Sequence, residues 1–105
     1  METNEILDAR EGQYGQYQNV SQISQDIKKI MQNSPNYRMM PAFMRESLDM
    51  IANKMARILN GNYYYDDSWR DISGYATLAV IEIEDMEKHD TPDTPCIKRK
   101  INAVQ

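Results

Sequence analysis

The chain has one cysteine and one histidine in 105 residues, and those two scarcities remove whole classes of chemistry. Cys96 alone cannot close an intrachain disulfide or build a thiolate metal cage. With His89 alone, neither a multi-histidine metal site nor a histidine-centred catalytic triad fits. Positive charge is also short. Twelve Lys and Arg face 16 Asp and Glu, for a net charge of −4. A duplex nucleic-acid binder needs a basic face to displace counterions, so this balance argues against one. No segment approaches the roughly 20 apolar residues of a bilayer-crossing helix. Residues 1–8 are acidic and lack the apolar run of a secretory signal. The chain reads as cytoplasmic, with no membrane partner.

What is present is helical periodicity. The length suits one domain with a thin margin of stability, for which oligomerisation is a common remedy. A short helix is expected over residues 3–11, with Thr3 at its N-cap and Gly12 and Gly15 breaking it. Val20, Ile23, Ile27, Ile30 and Met31 fall at helical spacing, so a helix over 21–32 follows, stopped by Asn33-Ser34-Pro35. Pro41 suits the first turn of the next helix. That helix carries the stripe Met44, Leu48, Ile51, Met55, Ile58 and Leu59, and Asn60-Gly61 supplies a left-handed stop. The last helix starts at Asp66 or Asp67 and runs to Glu87, with a core stripe of Trp69, Ile72, Ala76, Ala79, Val80 and Ile83. The expected fold is all-α: a small bundle of three main helices plus a short N-terminal one, completed by a homo-oligomer. Residues 1–87 form the helical domain, with its core in 10–86. Residues 88–105 form a loop and a basic tail ending in Lys98-Arg99-Lys100, and His89 caps the helix end locally.

The polar faces carry the candidate chemistry. At about 100° per residue, Glu46, Asp49, Asn53, Arg57 and Asn60 gather into an arc roughly 80° wide, opposite the apolar stripe. Carboxylates at i and i+3 can share a divalent cation such as Mg²⁺, and an arginine fork two turns on matches phosphate oxygens. A plain solvated face would look the same. On the last helix, Asp67, Asp71, Gly74, Leu78 and Ile81 lie opposite the core stripe, with Tyr75 and Glu82 alongside. Leu78 and Ile81 are wasted on solvent, and a mid-helix glycine costs about 1 kcal/mol unless close approach demands it. A second buried face is therefore expected there, against a second subunit or the polar arc. Asp67 as an N-cap and Asp71 in a local ion pair are the ordinary alternatives. Tyr63-Tyr64-Tyr65 can stack on a base or pack under the loop. The glycines of 10–15 let backbone approach an anion, but no phosphate-loop motif exists. Met39, Met40 and Met44 read as core filling.

Three blocks taken together resemble a known group. These are Arg10-x-x-x-Tyr14-Gly15, Asp49-x-x-x-x-Lys54-x-x-Arg57-Ile58 and Asp67-x-Trp69-x-Asp71-Ile72-x-Gly74-Tyr75-Ala76. They resemble small tailed-phage proteins of unknown function, which in turn look like distant relatives of the all-α MazG-like nucleoside triphosphate pyrophosphohydrolases and of nucleotide-modification-associated phage domains. In the MazG-like family, a Glu-x-x-Glu pair and a later Glu-x-x-Asp pair hold Mg²⁺ against the triphosphate. The resemblance implies Glu46 and Asp49 as the first pair and Asp67 and Asp71 as the second, all four both catalytic and metal-binding. Seventeen residues separate Asp49 from Asp67. The second pair is spaced i,i+4 rather than i,i+3, aspartates replace glutamates, and Lys54 and Arg57 bring positive charge close by. The candidate ligand-binding residues are Arg10, Tyr14, Asn53, Lys54, Arg57, Tyr64 and Tyr75. Three functions follow as expectations: Mg²⁺-dependent (d)NTP pyrophosphohydrolysis, sequestration of a host-defence nucleotide signal without turnover, or acidic protein–protein inhibition of a host enzyme. A phage origin would place each in the host cytoplasm.

Overall fold

Gly15, with φ of +80°, is the one described residue in the left-handed region, and the first two helices part there. The computed structural model describes residues 3–88. Helix α1 (Thr3–Tyr14) leads into α2 (Tyr17–Gln32), a single 3-10 turn (Tyr37–Met39), α3 (Ala42–Asn60) and α4 (Asp66–Lys88). The described residues contain no strand, as the all-α reading requires. None of these helices is long and apolar enough to cross a membrane. His89, Cys96 and the basic tail lie outside the described residues.

Several boundaries move from their expected places. Helix α1 runs through Gly12, because one glycine in a helix costs only about 0.5–1 kcal/mol and does not break it. Helix α2 begins at Tyr17, four residues early, as soon as the chain has turned at Gly15. Pro41 stands at the N-cap of α3 rather than inside its first turn, and its carbonyl accepts the N–H groups of Met44 and Arg45 at 3.0 and 3.2 Å. Gly61 ends α3 without a left-handed conformation, since its φ is −128°. Glycine is required there for a different reason. A Cβ on Gly61 would strike the backbone of Gln13 and lie 2.5 Å from the Cα of Tyr14.

Helix α3 is the middle of the fold, packed by α2 on one side and α4 on the other, with α1 laid across the α2–α3 junction. The buried positions are Val20 and Ser24 on α2, Ala52, Lys54 and Ala56 on α3, and Ser68 on α4. Most are small, as close helix approach requires. No large side chain is fully enclosed among the described residues. Helix α4 turns Ser68, Ile72, Tyr75, Ala79, Ile83 and Met86, spaced by three and four, toward α3; all are buried or half-buried. This rotates the expected stripe. Met55, Leu59, Trp69 and Val80 stand on one flank of the α3–α4 hairpin, exposed by 39, 66, 55 and 50 %. Leu78 and Ile81 lie exposed on the other flank. The second covered face expected of α4 is not formed among the described residues, and none of them lies within 4 Å of a Cβ built on Gly74.

Candidate functional site

Helical spacing aligns Leu7, Arg10 and Tyr14 on one side of α1. After the turn at Gly15, Tyr17 and Val20 come from the first turns of α2, and Asn53 and Arg57, at i and i+4, come from α3. These residues, with Glu11 and Gly15, line a cleft of about 480 Å³. Its walls are mainly apolar and aromatic, and it falls within the size range of small-molecule pockets.

The loop between α3 and α4 holds the cleft in shape. The Asn62 N–H donates to the Gln13 carbonyl at 2.7 Å. The Asn60 side-chain amide donates to the carbonyls of Tyr14 and Gln16 at 3.2 and 3.4 Å, while Asn62 Nδ2 reaches Gln13 Oε1 at 3.3 Å. The bonds to the Gln13 and Tyr14 main chain satisfy carbonyls left over at the end of α1.

Tyr14 is the electrostatic centre. The guanidinium carbon of Arg57 lies 4.6 Å from its ring centroid and that of Arg10 5.3 Å, both within cation–π range. Tyr65 meets the same ring at 5.9 Å and 59°. Neither arginine pairs with a carboxylate among the described residues. Two like charges against one ring repel each other, and an anion between them would remove that repulsion. The Asn53 amide has no partner among the described residues, leaving donors and an acceptor for a ligand.

The carboxylates are arranged differently. Lys54 Nζ meets Asp71 Oδ2 at 3.2 Å, with the lysine side chain buried and the aspartate half exposed. The Tyr37 hydroxyl donates to Asp49 Oδ1 at 2.9 Å, and the Tyr65 hydroxyl to Asp67 Oδ2 at 2.8 Å. Both phenols are pushed above their ordinary 10.0, first by the hydrogen bond to a carboxylate and then by burial. Asp66 is held below the ordinary carboxylate value by its hydrogen bond to Arg70. Glu46 is exposed. Taken from the Lys54–Asp71 contact at 1.5 Å per residue, Glu46 and Asp67 lie on opposite sides of it, roughly 18 Å apart along the hairpin axis. No three His, Cys, Asp or Glu side chains converge among the described residues.

Of the seven candidate ligand-binding residues, Arg10, Tyr14, Asn53 and Arg57 come together in the cleft. Lys54 turns to Asp71 instead. Tyr64 is exposed with its ring 4.7 Å from Tyr63, and Tyr75 faces α3. Leu7, Glu11, Tyr17 and Val20 were not among the expected site residues. Continuing the first helix through Gly12 would have put Leu7, Arg10 and Tyr14 on one face and so flagged Leu7. No family model, curated protein or solved structure matches the chain.

Proposed function

We propose that the protein binds a nucleotide or a related phosphorylated small molecule in the cleft between α1, α2 and α3. The observation that carries this is the pair of guanidiniums, Arg10 and Arg57, held against one tyrosine ring beside apolar walls and paired with no carboxylate among the described residues. Their forks suit phosphate oxygens, the aromatic and aliphatic walls suit a base, and the Asn53 amide suits a base edge or a sugar hydroxyl. Binding without turnover fits better than hydrolysis. Three of the four carboxylates that the MazG-like resemblance assigns to Mg²⁺ already engage Tyr37, Tyr65 or Lys54. Pyrophosphohydrolysis would need acidic groups from a second copy to complete the metal shell. The exposed row of Met55, Leu59, Trp69 and Val80 suits a homo-oligomer contact.

Incubation of the pure protein with a panel of nucleotides, cyclic and ADP-ribose-type signals included, followed by chromatography, separates the outcomes. Retention of intact ligand by the wild type and not by Arg57→Ala supports the proposal. Mg²⁺-dependent cleavage would replace binding by hydrolysis. Indifference to every nucleotide, with capture of one host protein, would turn the reading to an inhibitor. Light scattering on Leu59→Glu tests the oligomer, with a fall to monomer mass expected.

A further inference from the structure

We infer that the cleft selects a ligand with one terminal phosphate, of nucleoside monophosphate size, and holds it without a metal ion. This rests on the binding reading above and narrows it. Charge sets the limit. Among the described residues, Arg10 and Arg57 are the two cations lining the cleft, and Glu11 is its one acid. Lys54 is committed to Asp71 and Arg70 to Asp66, so neither adds to the site. A phosphate monoester carries a charge of about −1.5 to −2 at pH 7, which two guanidiniums can match. A triphosphate is ordinarily neutralised by bridging metal ions. Glu11 offers such an ion a single carboxylate, the fewest with which Mg²⁺ is held beside substrate phosphates and water.

Space and surface agree with that limit. About 480 Å³ accommodates a ring, a sugar and one phosphate. The two guanidinium carbons lie 4.6 and 5.3 Å from one ring centroid, which gathers both charges at the Tyr14 end of the cleft. With those cations at Tyr14, the base goes to Tyr17, whose ring is exposed at the cleft edge near Leu7 and Val20.

Calorimetry on the full chain tests this with AMP, CMP, GMP and UMP, with adenosine and inorganic phosphate, and with ATP, each in EDTA and in Mg²⁺. At least one monophosphate should bind about tenfold or more tighter than adenosine and than phosphate, with the same affinity in EDTA as in Mg²⁺. Its affinity should fall as pH drops below about 6, where the phosphate loses its second charge. Arg57→Ala and Arg10→Ala should each weaken the monophosphate about tenfold or more while leaving adenosine nearly unchanged, and Tyr17→Ala should weaken both. If Mg²⁺–ATP binds tightest and EDTA abolishes it, nucleotide binding stands and this inference falls. If no nucleotide binds, both fall. The wild-type ligand series decides the matter even where a variant does not fold.

Discussion

Replacing Gly61 by alanine tests whether the loop after α3 shapes the cleft through backbone contact. Gly61 has φ of −128°, outside the left-handed region, so the contact is the effect to be tested there. Gly15 would confound two effects, since its φ is +80° and its Cβ would also lie 2.5 Å from the Asn60 carbonyl oxygen. At Gly61 the added methyl meets the backbone of Gln13 and Tyr14, which cannot swing aside as a side chain can. Overpacking of this kind costs about 1–3 kcal/mol, and losing the Asn62-to-Gln13 bond adds about 1. Helix α1 buries no residue of its own, so undocking it limits the damage to the lower part of that range. A loss of about 1–2 kcal/mol corresponds to a Tm lower by roughly 5–15 °C in a domain this size. Ligand affinity should fall further than stability, because Leu7, Arg10 and Glu11 leave with α1. Thermal unfolding and calorimetry on Gly61→Ala and on Gly12→Ala make the comparison. A methyl added at Gly12 meets nothing within 4 Å, so alanine there should raise stability by up to about 1 kcal/mol. If the two variants behaved alike, the loop would not be holding α1.

Three further outcomes are expected. Asp71→Ala strands the buried Lys54 ammonium and should cost about 1–2 kcal/mol, reduced from the fully buried case because Asp71 is half in water. Lys54→Met should cost less than about 1 kcal/mol, and denaturant midpoints that ranked the two the other way would refute this account. Tyr37 and Tyr65 have folded pKa values raised above 10.0, so their contribution is complete below that pH and lost as pH rises through the raised values. Near-ultraviolet titration should show two phenols lagging, with Tyr37→Phe and Tyr65→Phe each removing one. Gly74→Ala should stabilise an isolated chain by about 1 kcal/mol, since its Cβ meets nothing. Destabilisation, read by thermal melts at several concentrations, would instead place a neighbouring subunit on that face.

The helices were legible because apolar residues recur at helical spacing; the faces they bury were less so. Sequence reading sends the largest apolar residues to the core, yet α3 touches neighbours on two sides. The closest approaches therefore fall to Ala52 and Ala56 and leave Met55 and Leu59 outside. Trp69 follows the same logic, and its indole N–H donates to the Tyr63 carbonyl at 3.0 Å from the hairpin's flank. Within the site, Asn53 and Arg57 were legible from the polar arc of α3, and Arg10 and Tyr14 from the first block of the family resemblance. Tyr17 and Val20 were hidden, because only the turn at Gly15 folds them back toward α1. A helical wheel also places carboxylates on a face without fixing the register between two helices. Here the Lys54–Asp71 contact sets that register, and it spreads Glu46, Asp49, Asp67 and Asp71 along the hairpin.

The backbone hydrogen bonds that hold α1 run to the main-chain carbonyls of Gln13 and Tyr14, from Asn62 and Asn60, and its side-chain contacts gather at those same two residues. Main-chain groups are common to every residue type. The side chains at positions 7, 10 and 11 can therefore be exchanged with little effect on docking, so that recognition in this protein is open to redesign, or to drift, largely apart from its folding.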